Sequence, residues 1–223
     1  MKIGECLEIG CGAGDLCVTL HNMGYPVKGI DSSEKAIQLC QELYKDICQT
    51  GTITFACESI YDVSDTFDTI FMFEVLEHIE DDRAALSRVH ELLRPSGQLL
   101  LSVPAHEKSF GPSDVFAGHY RRYDRTKLVT LLEDARFGVQ TIWSYGVPLA
   151  NLTERVRNIL YKNKPIQSKE TATAQSGIDR SIEAKLRFFC NDFFLYPFYW
   201  MQNLFLNSDL GMGYIVKAKK IDY

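Results

Sequence analysis

Leu7-Glu8-Ile9-Gly10-Cys11-Gly12-Ala13-Gly14 is the stretch from which the rest of the chain is read. The apolar run Gly4–Ile9 reads as a buried strand. It breaks into three glycines at alternate positions before a helical pattern opens near Asp15 and runs to Asn22. Glycine permits positive φ and lets a ligand approach the backbone with no Cβ in the way, and the helix that follows offers unpaired amides at its start. A plain strand–helix turn accounts for one glycine but hardly for three, so the pattern points to a ligand cradle at the end of the first strand.

Working outward, Val27–Ile30 reads as a second strand ending at Asp31, and Ser33 caps a long helix to Thr50. Ile53–Ala56, Asp68–Phe73 and Gln98–Val103 are the third to fifth strands, the last stopped by Pro104. Asp81–Leu93 is a helix closed by Arg94-Pro95-Ser96-Gly97. Arg125–Ala135 is another helix, and Val139–Ser144 and Tyr214–Lys219 are the sixth and seventh strands. Strands alternating with helices imply an α/β, doubly wound, mostly parallel seven-stranded sheet. Such sheets bind ligands beyond the strands' carboxyl ends, where the strand order reverses.

The expected organisation is a core over 1–145, an insertion over 146–212 and a final strand within 213–223. The insertion is expected to be helical and aromatic, with a mobile loop near 162–177. Its second half, Phe188–Leu206, is crowded with aromatics, but Asn191, Asp192, Pro197, Gln202 and Asn203 interrupt any membrane span. Two readings of it stay open: a lid whose aromatics finish the core, or an apolar acceptor pocket or surface that rests on lipid.

Composition sets the class. The 223 residues fit one domain, with 46% hydrophobic and 24% charged residues, as in soluble globular proteins. A net charge of −5 argues against a broad nucleic-acid footprint. The seven cysteines are odd in number and contain no Cys-x-x-Cys, so they read as reduced thiols of a cytoplasmic protein. Met1 and Lys2 lead at once into the first strand, and no signal peptide is expected.

Two acids sharpen the cradle's chemistry. Asp31, at the end of the second strand, can accept both hydroxyls of a ribose; the competing reading makes it a helix-capping acid beside Ser32 and Ser33. Glu8 precedes the first glycine, where its charge would repel a pyrophosphate and suits a ligand with a cationic amino-acid end. The glycine spacing also differs from the Gly-x-Gly-x-x-Gly of dinucleotide sites.

The chain resembles the class I S-adenosylmethionine-dependent methyltransferases of type 11 or type 12. The resemblance lies in Leu7–Gly14, Gly29-Ile30-Asp31-Ser32-Ser33, Phe67–His78 and Leu92–Leu100, four blocks in the family's order across roughly Gly4–Tyr145. It implies a Rossmann-like methyltransferase fold with S-adenosylmethionine as cofactor. It further implies that Gly10, Gly12 and Gly14 pass the methionine part, Glu8 fixes that end and Asp31 binds the ribose. Ser32 would flank the ribose or adenine, Glu58 and Ser59 would lie near the adenine edge, and Phe73 and Glu74 would close the pocket. Members usually carry a helix before the first strand. This chain begins almost at the strand, so either its start is truncated or the late insertion supplies the cover.

The acceptor is expected on the loop Pro104–Asp124. Arg121 and Arg122 could clamp a carboxylate or phosphate, with Tyr123 beside them, or pair with surface acids. His119, His106 or Tyr120 could take the acceptor's proton. Glu74, Glu77 and His78 share a face if a helical turn begins at Glu74, and with His119 or His106 they form an alternative divalent-metal set. The leading expectation is no metal, with Glu77 and His78 capping the helix. The expected function is in-line methyl transfer to an oxygen or nitrogen of a small molecule, which the apolar insertion suggests is lipid-like or sugar-linked. An NAD-dependent dehydrogenase is the rival, predicting a Tyr-x-x-x-Lys or similar dyad after the fourth strand, where none is read, and a non-catalytic cofactor-binding module is the third reading.

Overall fold

The computed structural model describes residues 4–161 and 200–222. Strand β1 (Cys6–Ile9) is buried at every position, the signature of a parallel strand covered on both faces. After it come α1 (Asp15–Asn22), β2 (Val27–Asp31), α2 (Glu34–Leu43), α3 (Lys45–Cys48), β3 (Ile53–Cys57) and β4 (Phe67–Phe73). A single 3-10 turn over Leu76–His78 leads to α4 (Asp82–Leu92) and β5 (Leu93–Pro104). The chain continues through α5 (Pro112–Ala117), α6 (Arg125–Asp134), β6 (Phe137–Tyr145), α7 (Leu149–Tyr161) and β7 (Gly213–Lys220).

The strands form one seven-stranded sheet in the order β3-β2-β1-β4-β5-β7-β6. The β1–β2, β2–β3, β1–β4 and β4–β5 pairs are parallel, while β7 runs antiparallel between β5 and β6. The order therefore reverses between β1 and β4, which puts a crevice at the carboxyl ends of β1, β2 and β4. Side chains of β1 alternate between two cores. Leu7 and Ile9 join a cluster with Leu86 and Val89 of α4 and Leu128 and Leu132 of α6. Cys6 faces a second cluster with Cys17 and Leu20 of α1, Ile37 and Cys40 of α2, and Phe55. Helices thus cover both faces, as the alternating pattern requires.

Three larger departures from the sequence reading stand out beside shifts of one or two residues at strand ends. The helix expected over Ser33–Thr50 breaks at Tyr44 (φ −115°, ψ 22°), whose ring stacks on Phe55 at 6.1 Å. Its expected Ser33 cap is present, accepting the Ala36 N–H at 3.4 Å. Strand β5 starts at Leu93, not Gln98, because Leu93 pairs with Phe67 ahead of a register shift. Lys220 Nζ closes α4 there, donating to the carbonyls of His90 and Leu93 at 2.9 and 2.8 Å. The loop Pro104–Asp124 contains the helix α5, which no expectation included. Between β6 and β7 lie α7 and helical residues 200–205, whereas the loop expected near 162–177, most of Phe188–Leu206 and Cys190 fall outside the described residues. Among the described residues no helix is long and apolar enough to cross a membrane, and the described cysteines are free thiols.

Candidate functional site

A cleft of about 530 Å³ opens at the crevice between β1 and β4, within the size range of small-molecule sites. Gly10 and Gly12 line it from the turn after β1, both with left-handed φ (73° and 50°). Asp31 and Ser32 line it from the end of β2, Glu58 and Ser59 from the end of β3, and Phe73 and Glu74 from the end of β4. These are the positions expected to face the cofactor.

Asp31 does two things there. Its Oδ2 accepts the Gly12 N–H at 3.0 Å and its Oδ1 accepts the Ser33 N–H at 2.8 Å. It therefore braces the glycine turn and the start of α2 while lining the cleft, so the capping and ligand-binding readings do not compete. Glu58 pairs with Lys28 at 2.9 Å.

Two expected cofactor residues stand off the cleft wall. Gly14 (φ 79°) starts α1 where a Cβ would lie 2.9 Å from the Phe55 ring, so its missing side chain serves helix–strand packing. Glu8 is buried behind the turn, where its carboxylate accepts the Cys17 S–H at 2.8 Å. Burial raises its pKa to about 7, with the Cys17 hydrogen bond pulling the other way.

Glu74 occupies a left-handed conformation (φ 54°) that costs a non-glycine residue of order 1–3 kcal/mol. Two neighbours hold it. Its N–H donates to Ser102 at 3.1 Å, and its Oε1 accepts the Ser102 hydroxyl at 2.8 Å and the Tyr145 hydroxyl at 2.7 Å. The helical turn expected from Glu74 is instead the 3-10 turn two residues later.

The far end of the cleft is walled by His78, Asp114, His119, Arg122 and Glu154. Arg122 is 4% exposed and so is no open clamp: it pairs with Asp114 at 2.8 Å and with Glu154 of α7. Asp114 also meets His119 Nδ1 at 2.9 Å. Burial works to raise the Asp114 carboxyl, but the hydrogen bonds from His119 and Arg122 hold it below its usual range. The His78 and His119 rings meet edge to face at 4.7 Å. Burial, with His119 nearby, lowers His78 to about 4, leaving it neutral near pH 7. Glu77 is fully buried and neither carboxyl oxygen has a hydrogen-bond partner. Burial and the Glu74 charge raise its pKa well above the usual carboxylate range. One donor atom from each of Glu77, His78 and His119 lies within 4.8 Å of the others.

Four other expected residues point elsewhere. His106 bonds the Gly211 carbonyl at 3.0 Å through Nε2 and lies against Tyr214, outside the cleft. Tyr120 donates its backbone N–H to the Glu77 carbonyl at 2.8 Å, and the Arg121 guanidinium lies over its ring. Arg121 pairs with Asp82 at 2.8 Å. Tyr123 is buried, its hydroxyl donating to Asp82 at 3.1 Å. Tyr120, Arg121 and Tyr123 are thus engaged with Glu77, Asp82 and each other and do not line the cleft. Tyr123 and Lys127 do have the Tyr-x-x-x-Lys spacing of the dehydrogenase rival, but Lys127 pairs with Glu107 and neither residue lines the cleft.

Asp114 and Glu154 were not foreseen. Asp114 had a signal: Gly111-Pro112-Ser113-Asp114 puts proline at the first helical position and an acid two later, and its Oδ2 accepts the Gly111 N–H at 2.8 Å. Glu154 had none, since its partner Arg122 is remote in sequence.

Comparison with known proteins identifies the family. A family described as a methyltransferase domain matches residues 2–142. The ubiquinone biosynthesis O-methyltransferase of Bradyrhizobium diazoefficiens is 32% identical over 120 residues, covering 52% of this chain and 47% of the relative. The mitochondrial enzyme of that name from Schizosaccharomyces pombe is 33% identical over 101 residues, covering 44% and 37%. The chain thus spans about half the length, or less, of the curated relatives it matches. Among solved structures, an S-adenosylmethionine-dependent methyltransferase from Mesorhizobium loti superposes with a TM-score of 0.62 at 16% identity, covering 99% of this chain and 93% of that one. The [4+2]-cyclase SpnF superposes with a TM-score of 0.61 at 15% identity, covering 98% and 75%. The fold is therefore shared by proteins named for different reactions, and the sequence match carries the assignment. With more than half of its residues matched in order, this chain belongs to the methyltransferase domain family.

Proposed function

We propose that the chain is an S-adenosylmethionine-dependent methyltransferase acting in line on an oxygen of a small molecule. The observation that carries it is the cleft itself, with the Asp31-braced glycine turn at one end and His119 at the other. S-adenosylmethionine, when bound, supplies a methyl group on a positively charged sulfur that is already activated for displacement. Gly10 and Gly12 keep side chains out of its way, and Asp31 receives the ribose hydroxyls. Phe73 and Glu74 bound the pocket between cofactor and acceptor. His119 takes the proton of the attacking hydroxyl, and the rest of the rate comes from positioning.

The names of the relatives favour oxygen over nitrogen as the acceptor atom, and a phenolic or lipid-like molecule fits them. The core up to β6 carries the cleft, α7 adds Glu154 and Arg157 to its wall, and β7 completes the sheet. Free thiols suit a reducing, cytoplasmic setting. The dehydrogenase rival is disfavoured by the glycine spacing and by the position of Tyr123, which lies outside the cleft. A binding module without catalysis would leave the His119 end of the cleft without a role.

Calorimetry with S-adenosylmethionine and with NAD is the direct test. Binding of the first and not the second is expected, and failure to bind S-adenosylmethionine would overturn the proposal. Given binding, mass spectrometry of catechol-type acceptors reads the transferred methyl.

One observation favours a second element. A fully buried carboxyl with no partner beside two imidazoles is an expensive arrangement unless something fills it. Glu77, His78 and His119 fit a divalent cation, which would supply a Lewis acid for an acceptor hydroxyl. Addition of Mn²⁺ or Zn²⁺ should then raise the melting temperature of the parent and not of Glu77→Gln. Equal curves for both would eliminate the metal and leave Glu77 as a buried neutral acid.

A further inference from the structure

His119 has one ring nitrogen committed. Its Nδ1 lies 2.9 Å from Oδ1 of Asp114, a residue only 1% exposed. That same Oδ1 accepts the Arg122 Nε–H at 2.8 Å, and Oδ2 accepts the Gly111 N–H at 2.8 Å. Arg122 in turn reaches Glu154 on α7. Guanidinium and peptide N–H groups are donors only, so both Asp114 oxygens already face hydrogens. The carboxylate can act only as an acceptor toward His119, and the hydrogen between them belongs to Nδ1.

We propose that Asp114 is a positioning residue that fixes His119 as the Nδ1–H tautomer and leaves Nε2 free to receive a proton or a cation, with Arg122 and Glu154 holding Asp114 in place. The partner of one imidazole nitrogen decides the state of the other. Without Asp114 the ring would sample both tautomers and swing in the cleft. A buried acid serves the same end in catalytic triads, where its loss leaves the histidine in the wrong tautomer. If a cation is bound, the arrangement becomes a carboxylate–histidine–metal unit. The inference also brings α7 into the site, because Glu154 is the outermost link of a chain that ends at the imidazole. It rests on His119 having the role assigned to it above.

Ring ¹⁵N shifts of histidine-labelled protein test it, with His119→Gln used to assign the signals. In alkaline buffer the parent is expected to show a protonated Nδ1 and an unprotonated Nε2. Asp114→Ala should collapse that separation toward mixed tautomers while S-adenosylhomocysteine affinity stays unchanged. A merely structural Asp114 would alter stability without moving the tautomer. An unprotonated Nδ1 in the parent would overturn the proposal, as would an unchanged spectrum in Asp114→Ala. The parent spectrum needs no variant, so it decides the matter even if Asp114→Ala fails to fold. Failure of the methyltransferase reading would appear separately, as absence of S-adenosylhomocysteine binding by the parent.

Discussion

Asp31 reaches from the end of β2 to the turn after the neighbouring β1, and its Oδ2 accepts the Gly12 N–H at 3.0 Å. One carboxylate therefore shapes the turn and lines the cleft that the turn borders. Asp31→Ala removes the brace and, on the proposed function, the ribose acceptor as well. A charged hydrogen bond contributes about 1.5–3 kcal/mol, so cofactor affinity should fall about tenfold or more. Calorimetry with S-adenosylhomocysteine checks this, and unchanged affinity would remove Asp31 from the site.

Glu8 should give the fold a pH dependence near neutrality. Burial raises it in the folded state from its ordinary 4.5 to about 7. The folded protein thus holds this proton more tightly than the unfolded chain does. Its contribution is complete below the ordinary value and is lost as pH rises toward 7, by about 3 kcal/mol in order of magnitude. Glu8→Gln should flatten that part of the profile. Urea midpoints of both proteins at about pH 5 and about pH 8 give the comparison; parallel profiles would contradict the buried acid.

Gly14 is set by packing. Alanine there must adopt φ 79° and place its Cβ 2.9 Å from the Phe55 ring. The left-handed conformation alone costs roughly 1–2 kcal/mol, and overpacking adds to it. Gly14→Ala should lower unfolding free energy by about 2 kcal/mol or more. A loss too small to resolve by denaturation would show that the start of α1 yields easily.

Arg122 supplies the cation for two acids, Asp114, which is buried, and Glu154, which is half-buried. Arg122→Met leaves Asp114 and Glu154 without their cation, a change that typically costs about 3–5 kcal/mol. Adding Glu154→Gln to it should cost less than the sum of the two single changes, because the pair is coupled. Strict additivity in a double-mutant cycle would show that the ion pair does not exist in solution.

Much of the glycine-turn end of the cleft was legible in the sequence because its determinants are local. Leu7–Gly14 carries its own strand, turn and helix start in consecutive residues. Asp31 and Glu74 are strand-end residues, whose position follows from the strand pattern once the strands are recognised as parallel. Gly14 and Glu8 were correctly placed along the chain, but which face each one turned to depended on Phe55 and Cys17, contributed by β3 and α1.

The far end of the cleft was a different matter. Arg121, Arg122 and Tyr123 are adjacent in sequence, yet the fold gives them separate partners: Asp82 for the first and third, Asp114 and Glu154 for the second. A run of polar residues fixes composition, not which side chain is buried against which counter-charge. Local order and strand–helix alternation alone therefore determined the sheet, its crevice and the cofactor turn. The tertiary structure alone decided which histidines line the cleft and what holds His119, because those contacts join α5 to α7 and a Coulomb pair has no periodicity to read.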